Sequence, residues 1–461
     1  MYQYKGLEDT IAAIATPAGQ GGIGVVRISG KEAVAVADAC LRLHGKSLNQ
    51  CTTYTLHHGW VVNGDQIIDE VLISLMRAPK SYTGEDVVEI SCHGGMTVLQ
   101  QVLKVILNNG ARLANPGEFT KRAFLHGRMD LAQAEAVLDI IHAKTETFLR
   151  QSQHQLKGEL SIQLNLIREE LIRLYTMVEA LINFPEDGID AQGRKQLLQR
   201  LNAQEQLIAQ LLSSANSGRL LKEGIRIVLC GKPNVGKSSL LNALLKEQRA
   251  IVTPIAGTTR DVLEESAQIK GIPISLVDTA GILEPRDLIE EEAIKRSHLY
   301  IKSADLVLLV LDASRVLELQ DHLLMQQLQG SKVLVVMNKS DLEEKIDVSE
   351  VKKIFAENLI KVSTLQPASM QALEAKIEDT IRKNVNFDSH GILISNVRHI
   401  KALEEAQQNL LGASRLMNEG TSLEFISEEI KSAVNQLDAI TGRNIDEDLL
   451  DRIFSEFCIG K

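Results

Sequence analysis

Cysteine, aromatic residues and long apolar runs are all scarce in this sequence of 461 residues. The five cysteines are scattered without the close pairs of a metal site, so we expect reduced thiols in the cytoplasm rather than a disulfide framework. No apolar run approaches the roughly eighteen residues that a membrane span needs. The formal charge of −10 argues against a protein that coats DNA nonspecifically, although a local basic patch could still bind RNA.

The length and the hydrophobic pattern indicate more than one domain, because a chain of this length typically forms about two to four. The first 120 or so residues contain strand-like runs at 10–15, 23–29, 70–76 and 86–92 and helical runs at 32–43 and 97–108. Long helices follow from Leu131, with a predicted hinge at 213–218. An alternation of strands and helices from 224 to 383 is followed by further helices at 397–457. We therefore predict helical segments that pack together, with a βαβ unit inserted between them.

A glycine-rich loop, GKPNVGKSS at 231–239, lies between the apolar run Ile225–Cys230 and a predicted helix. Its glycines allow backbone N–H groups to surround a polyphosphate, and the start of the helix adds partial positive charge. Lys237 can bridge the outer phosphates, and Ser238 can bind magnesium. The loop predicts a site for a nucleoside triphosphate; the alternative is a tight turn without a ligand.

Two downstream strings can complete the magnesium and phosphate contacts. GTTRD at 257–261 supplies Thr259 as a further magnesium ligand. DTAG at 278–281 supplies Asp278, which can hold magnesium through water, and the Gly281 N–H, which can meet the γ-phosphate.

A third string identifies the base. NKSD at 338–341 follows a predicted strand, and the Asp341 carboxylate can accept two hydrogen bonds from guanine. Adenine lacks that pair of donors, so such a site rejects it strongly. The strings occur in the order that a GTPase requires, and together they predict GTP as the ligand.

The glutamine that orients the attacking water in Ras-type GTPases is absent. Ile282 and Leu283 occupy its place, and neither side chain can hydrogen-bond water. Asn234 in the phosphate loop resembles the potassium ligand of cation-dependent GTPases, in which the ion replaces an arginine finger. The pattern predicts K⁺ at Asn234, helped by oxygens of Thr253, Ile255 and Thr258; an Asn234 that only stabilises the loop is the alternative.

Further strings extend the pattern over the whole chain: GGIGVVRISG at 21–30, SYTGED at 81–86, CHGG at 92–95, PGEFTKRAF at 116–124, DLAQAEA at 130–136 and FCIGK at 457–461. With them the chain resembles the MnmE family, also called TrmE, the tRNA uridine-5-carboxymethylaminomethyl modification GTPases. The resemblance implies an α/β plus all-α multidomain protein. Its expected parts are an N-terminal α/β folate-binding and dimerisation domain at 1–122, a discontinuous helical domain at 123–218 and 384–461, and an inserted Ras-like GTPase domain at 219–383.

The resemblance also implies an activity and partners. We expect a potassium-dependent GTP hydrolase that forms a homodimer through its N-terminal domain and a heterotetramer with MnmG, an FAD- and NADH-using protein. Together they would add a carboxymethylaminomethyl or aminomethyl group to C5 of the wobble uridine of certain tRNAs. The carbon donor would be 5-formyl- or 5,10-methylene-tetrahydrofolate, and GTP hydrolysis with Mg²⁺ and K⁺ would drive a conformational rearrangement.

The matched positions give a set of expected site residues. Glu290 would orient water, and Cys458 would be a reactive or a structural thiol. The expected folate contacts are Arg27, Glu89, Arg128 and Lys461. The expected GTP contacts are Asn234, Val235, Gly236, Lys237, Ser238, Ser239, Thr253, Pro254, Ile255, Ala256, Gly257, Thr258, Thr259, Asp278, Thr279, Ala280, Gly281, Asn338, Lys339, Asp341 and Ser363, with Ser238 and Thr259 on Mg²⁺.

One string departs from the family pattern, and two other functions fit parts of the sequence. The loop behind the guanine normally reads close to Ser-Ala-Lys, whereas here it is VSTL at 362–365, which weakens the assignment of Ser363. A ribosome-assembly GTPase would share the GTPase strings but would usually carry a compact RNA-binding module instead of the N-terminal block. A folate-dependent enzyme acting on a small molecule, with a regulatory GTPase domain, is the other alternative.

Overall fold

The computed structural model describes residues 8–184, 191–247, 264–278, 300–356, 358–383 and 391–461. Two compact units account for the chain. The first consists of Met1–Leu138, Gln155–Glu169 and Val434–Lys461, and the second of Asp139–His154 and Glu170–Ala433.

The first unit contains a mainly antiparallel sheet with helices on one face. Its strands are β1 (Ile11–Ile14), β2 (Ile23–Ser29), β3 (Leu41–Leu43), β4 (Thr55–Asn63), β5 (Gln66–Met76), β6 (Val87–His93) and β7 (Arg112–Leu113). The helices α1 (Ala33–Ala39), α2 (Met96–Asn108) and α3 (Glu118–Leu125) belong to the same part of the chain. The order is β3-β4-β5-β6-β2-β1-β7, and β7 is parallel to β1.

Buried and exposed residues alternate along the strands of this sheet, and the buried ones lie on the face that the helices cover. Val26 and Ile28 of β2 are fully buried and share an apolar cluster with Ile73 of β5 and Leu99 of α2. Residues that point the other way are more exposed; Leu72 of β5, for example, is 43 % exposed. This period of two is typical of a sheet with one packed face.

Helices make up the next part of the chain. These helices are α4 (Leu131–His142), α5 (Glu146–Leu156), α6 (Glu159–Asn183), α7 (Ala191–Ser213) and α8 (Ala215–Glu223). One face of α6 is buried, with an exposure of 2 % or less at Leu160, Leu164, Ile167, Leu171, Leu174 and Val178.

The second unit contains a mainly parallel sheet covered on both faces. Its strands are β8 (Ile225–Cys230), β9 (Glu264–Ile269), β10 (Ile272–Asp278), β11 (Leu306–Asp312), β12 (Val333–Asn338) and β13 (Leu359–Lys361). The helices beside them are α9 (Lys237–Glu247), α10 (Leu319–Gln327), α11 (Val348–Phe355) and α12 (Pro367–Arg382). The order is β13-β12-β11-β8-β10-β9, and β9 is antiparallel to its neighbour.

Buried residues occupy every position of β11 and β12. Leu308 and Val310 belong to one apolar cluster, while Leu309 and Leu311 belong to another. Continuous apolar strands of this kind are expected where helices cover both faces of a parallel sheet. The α/β and all-α parts predicted from the sequence are therefore both present.

The last helices are α13 (Val397–Glu419), α14 (Leu423–Thr441) and α15 (Glu447–Ser455). Helix α13 packs along α7 in the second unit. In the first unit, Phe454 and the following Phe457 share an apolar cluster with Ala123 of α3 and Leu131 of α4. This packing fixes the segment 458–461 beside α3.

Two sequence predictions were wrong. The helix predicted at 32–43 ends at Ala39, because Leu41 and Leu43 pair with β4 opposite Val61 and Gly59. Tertiary pairing here overrides local helix propensity.

The hinge predicted at 213–218 is instead mostly helical, because α7 ends at Ser213, α8 begins at Ala215 and only Ser214 lies between them. Ser217 and Gly218 are buried in α8, and a Cβ atom built on Gly218 would lie 2.3 Å from the carbonyl oxygen of Ile394. The small residues at this site permit a close backbone contact within the second unit. A run of Ser, Ala, Asn and Gly is also typical of a hinge, and for that reason the prediction was wrong.

The contact at Gly218 predicts that Gly218→Ala destabilises the second unit. Alanine normally improves a helix by up to about 1 kcal/mol, but overpacking against rigid backbone costs about 1–3 kcal/mol and should prevail. Urea unfolding followed by circular dichroism should show a lower midpoint. Gly391→Ala is the control, because a Cβ at Gly391 meets nothing within 4 Å. Equal midpoints for the two variants would restore the hinge interpretation.

Candidate functional site

The phosphate loop connects β8 to α9 in a conformation that requires glycine at two positions. Gly231 has φ +147°, and a Cβ there would lie 2.3 Å from the carbonyl oxygen of Val310. Gly236 has φ +98°, and its Cβ would lie 2.2 Å from Asn338 Nδ2. No other residue fits either position without moving a neighbour.

The ammonium group of Lys237 lies inside this loop. Its Nζ donates to the carbonyl oxygens of Gly231 and Lys232, both at 2.8 Å, and the side chain is buried. Ser238 and Ser239, at the start of α9, are exposed. The loop thus presents a buried cation, a hydroxyl group and a helix N-terminus together, which suits a polyphosphate with a magnesium ion.

The predicted guanine-binding string, 338–341, lies next to the phosphate loop and donates hydrogen bonds to its carbonyl oxygens. Asn338 Nδ2 donates to the Val235 carbonyl at 2.9 Å, while Asn338 Oδ1 is buried and has no hydrogen-bond partner among the described residues. Lys339 Nζ lies 3.0 Å from the Asn234 carbonyl and 2.7 Å from Asp312 Oδ2. The phosphate loop and the predicted guanine-binding string are therefore directly connected by hydrogen bonds.

Asp312 and Lys339 form an ion pair at this edge of the sheet. Burial would raise the pKa of Asp312, but hydrogen bonds from Lys339 and Ser314 outweigh it and leave the pKa below its ordinary value. The Asp341 carboxylate, which follows on the same loop, belongs to an exposed residue and is open to a base.

Ser363 lies next to this segment but is already engaged. It is fully buried, and its N–H donates to Ser369 Oγ at 2.7 Å. The backbone of the neighbouring Val362 accepts a hydrogen bond from Ser340 N at 3.1 Å. The VSTL loop thus lies beside the guanine string, and a role for Ser363 in binding guanine stays a prediction.

Several predicted residues fall outside the described part of the chain. The backbone of Asp278 ends β10, where it pairs with Leu229, but its side chain is not described. The others outside it are Thr253, Pro254, Ile255, Ala256, Gly257, Thr258, Thr259, Thr279, Ala280, Gly281 and Glu290.

A second cluster, in the first unit, brings together the four residues predicted to contact folate. Arg27 Nε and Nη2 both lie 2.7 Å from Glu89 Oε1, across neighbouring strands β2 and β6. Arg27 Nη1 also donates to the Gly460 carbonyl at 3.2 Å. The segment 458–461 is thereby attached to the sheet, which places Lys461 beside these residues.

Tyr82 lies at the centre of this cluster, and the sequence analysis did not single it out. The distances from its ring centroid are 5.3 Å to Arg27 Cζ, 4.9 Å to Arg128 Cζ and 5.9 Å to Lys461 Nζ. The Tyr82 hydroxyl lies 2.9 Å from Thr120 Oγ1 and its carbonyl accepts from Arg128 at 2.7 Å. The presence of Tyr82 within SYTGED was the available signal.

This cluster gathers more positive than negative charge. Burial and the neighbouring Arg27 guanidinium lower the pKa of Lys461, and the opposing effect of Glu89 does not restore it. The ring face of Tyr82 attracts cations and offsets part of their mutual repulsion. A carboxylate or phosphate ligand would fit here, because it would neutralise the remaining charge.

Cys458 differs from the other four cysteines, since they are buried and it is exposed. Burial raises the pKa of the thiols of Cys40, Cys92 and Cys230 to about 12. The Cys458 carbonyl accepts hydrogen bonds from the backbone of Gly117 at 3.4 Å and of Lys461 at 3.3 Å. The main chain of Cys458 is thus structural, while its thiol remains accessible.

Two kinds of feature are absent from the described residues. They include no cluster of three or more His, Cys, Asp or Glu side chains arranged to hold a metal ion. Among the helices described, none combines the length and apolar character that crossing a membrane requires.

Comparison with known proteins gives matches along the whole chain. The model of the MnmE helical domain matches residues 131–458, and that of the GTP-binding protein TrmE N-terminus matches 10–128. A relative from Desulforamulus reducens, named tRNA modification GTPase MnmE, is 45 % identical over 99 % of this chain and 100 % of its own length. A relative of the same name from Enterococcus faecalis is 44 % identical over 98 % of each chain.

A solved structure also matches part of the chain. The G domain of the T. maritima FeoB iron transporter is 32 % identical, covering 34 % of this chain and 98 % of that one. Its TM-score of 0.27 is too low to support a conclusion. The full-length similarity to the two relatives and the matches to both domain models are sufficient by themselves: the chain belongs to the MnmE family of tRNA modification GTPases.

Proposed function

We propose that this GTP hydrolase acts in tRNA modification, using GTP hydrolysis to rearrange a platform that modifies C5 of the wobble uridine of certain tRNAs. The observation that carries the proposal is the 45 % identity, over the full length, to a relative named as a tRNA modification GTPase. The connected phosphate and guanine segments support the GTP-dependent part, because Lys339 links the base string to the Asn234 carbonyl.

GTP and Mg²⁺ would be bound at the carboxyl edge of the second sheet. Lys237 and the N–H groups of residues 234–239 would hold the phosphates, and Ser238 with Thr259 would bind Mg²⁺. Asn338, Lys339 and Asp341 would read guanine. The proposed set also includes Ser363 and the residues 253–259 and 278–281, and Glu290 would orient the water.

Potassium would be bound by Asn234 together with Thr253, Ile255 and Thr258. Asn234 is exposed and has φ 65°, a conformation that asparagine adopts more easily than most residues. Its side-chain oxygen is a hard ligand suited to an alkali cation. When bound, K⁺ supplies positive charge that an arginine finger provides elsewhere.

A folate derivative would bind at the cluster around Tyr82. Glu89 suits the donor groups of a pterin, and Arg27, Arg128 and Lys461 suit the carboxylates of its glutamate tail. Cys458 is exposed on the same segment as Lys461, so a reactive role for its thiol is part of the proposal.

The partners would be a second copy of this chain, MnmG with its FAD and NADH, and tRNA, in the cytoplasm. The open face of the first sheet supports a homodimer, since Leu56 is 61 % and Leu72 43 % exposed there. The proposed domain limits are 1–122, 123–218, 219–383 and 384–461.

Nucleoside analysis of tRNA tests the function directly. A deletion strain should lose the carboxymethylaminomethyl mark, and the native gene should restore it. Lys237→Ala should not restore it, because the buried ammonium of the phosphate loop is lost. An intact mark with defective ribosomes would favour a ribosome-assembly GTPase, and an intact mark with altered folate metabolism would favour a small-molecule enzyme.

The potassium site predicts that Asn234→Gly lowers the kcat of GTP hydrolysis by about 10²-fold, because charge stabilisation in the transition state is lost. Glycine keeps the left-handed backbone, so the loop itself is not strained. GTP affinity should change little, since backbone groups and Lys237 remain. Turnover is measured in potassium and in sodium; equally fast hydrolysis of the native protein in both would refute the potassium proposal.

The folate site predicts that Lys461→Met weakens binding of 5-formyl-tetrahydrofolate about tenfold, the loss of one charge-assisted contact. Because the pKa of Lys461 lies below its ordinary value, the native protein should also bind less tightly as the pH rises and the ammonium deprotonates. Lys461→Met should show a flatter pH dependence. Calorimetric titration measures both, and a pH profile unchanged by the substitution would remove Lys461 from the site.

A further inference from the structure

Lys232 belongs to the phosphate loop but is not among the residues proposed to contact GTP. Its Nζ lies 2.6 Å from Asp321 Oδ2 and 2.9 Å from Glu318 Oε2, at the start of α10. The side chains of Lys232 and Asp321 are 15 % and 5 % exposed, whereas Glu318 is 61 % exposed. The buried partner, Asp321, therefore forms the stronger part of this contact, since solvent screens it least.

Asp321 is itself held in place by its own helix. Its Oδ2 accepts from the backbone N–H of Glu318 at 2.9 Å, which completes a capping box at the start of α10. The carboxylate that receives Lys232 is thus fixed before any nucleotide is bound. Although burial disfavours the ammonium, the hydrogen bonds to Asp321 and Glu318 prevail and raise the pKa of Lys232, so it stays charged.

The main chain of Lys232 contributes to the nucleotide site. Its carbonyl oxygen accepts from Lys237 Nζ at 2.8 Å. A contact that fixes the Lys232 side chain therefore also fixes its carbonyl oxygen, which accepts a hydrogen bond from the Lys237 ammonium. The contact spans one side of a pocket of about 160 Å³ between the loop and the segment after β11.

The loop needs such support because its glycines can adopt many other conformations, so that holding them in this one costs conformational entropy. Gly231, Asn234 and Gly236 all have positive φ. Asn338 and Lys339 support the loop at the carbonyls of Val235 and Asn234. Lys232 supports the preceding part of the loop and does so from a different element, α10. A loop that is held in its binding conformation loses less conformational entropy when a ligand binds.

We propose that Lys232 is a positioning residue for GTP: through the buried Asp321 carboxylate it holds the phosphate loop, and the carbonyl that Lys237 contacts, in the binding conformation. Lys232 does not itself act on the phosphates. Its role is to lower the KM for GTP, with little effect on kcat.

Titration of the full chain with a fluorescent GTP analogue, in the presence of Mg²⁺ and K⁺, tests this role. Lys232→Met and Asp321→Asn should each weaken binding about tenfold, the scale of one buried hydrogen bond to a charged group. The double variant should bind no more weakly than either single one, because both remove the same contact. Lys232→Arg should recover most of the affinity, and kcat should change less than about twofold in all of them.

Lys222→Met provides the matched control. Lys222 Nζ lies 2.9 Å from Asp139 Oδ1, with the lysine 34 % and the aspartate 6 % exposed, in the same unit but outside the loop. This variant should lower thermal stability without altering GTP affinity.

Three results would overturn the proposal. Unchanged GTP affinity in Lys232→Met would show that the contact is not needed. Additive losses in the double variant would mean that Asp321 acts through the helix cap and not through Lys232. A loss for Lys232→Met with a gain for Asp321→Asn would indicate that the Lys232 charge acts on the phosphates directly.

Discussion

The close approach of the phosphate loop to strands β11 and β12 is the constraint on which the nucleotide site depends. Gly231 lies against the Val310 carbonyl and Gly236 against the Asn338 amide, with no room for a Cβ at either position. This proximity requires β8, β11 and β12 to run parallel and to end at one edge of the sheet. The pairing of Asp312 with Asn338 then brings the Asp312–Lys339 ion pair and the predicted guanine-binding string to the same place.

The polar side chains at this edge of the sheet are buried, which lowers the free energy of unfolding unless each of them has a hydrogen-bond partner. Lys237, Asp312 and Asn338 are all less than a tenth exposed. Leaving such a group without a hydrogen bond costs on the order of 1–3 kcal/mol. The contacts of Lys237 with loop carbonyls and of Asp312 with Lys339 avoid most of that cost, and they also fix the geometry that a phosphate requires.

Local patterns predicted the strand and the helix on either side of the phosphate loop better than they predicted other connections in the chain. The phosphate loop was predicted because a buried strand, fixed glycines and a lysine occur within a dozen positions, and the adjoining strands were long apolar runs. The end of α1 and the supposed hinge were mispredicted because partners remote in sequence, Val61 and the Ile394 carbonyl, decide those conformations. Tyr82 was not identified because the SYTGED string marks its position but does not show that three cations, all but Arg128 remote from it in sequence by 55 residues or more, converge on its ring.

The segment 458–461 is held to the fold through its main chain. Its backbone is committed to the fold: Cys458 and Lys461 accept hydrogen bonds from Gly117 and Phe119, and Gly460 lies so close to the Ile14 carbonyl that a Cβ would be 2.5 Å away. Because these contacts use only main-chain atoms and a glycine, the exposed thiol of Cys458 takes no part in holding the segment, whereas the Lys461 ammonium still packs near the Tyr82 ring.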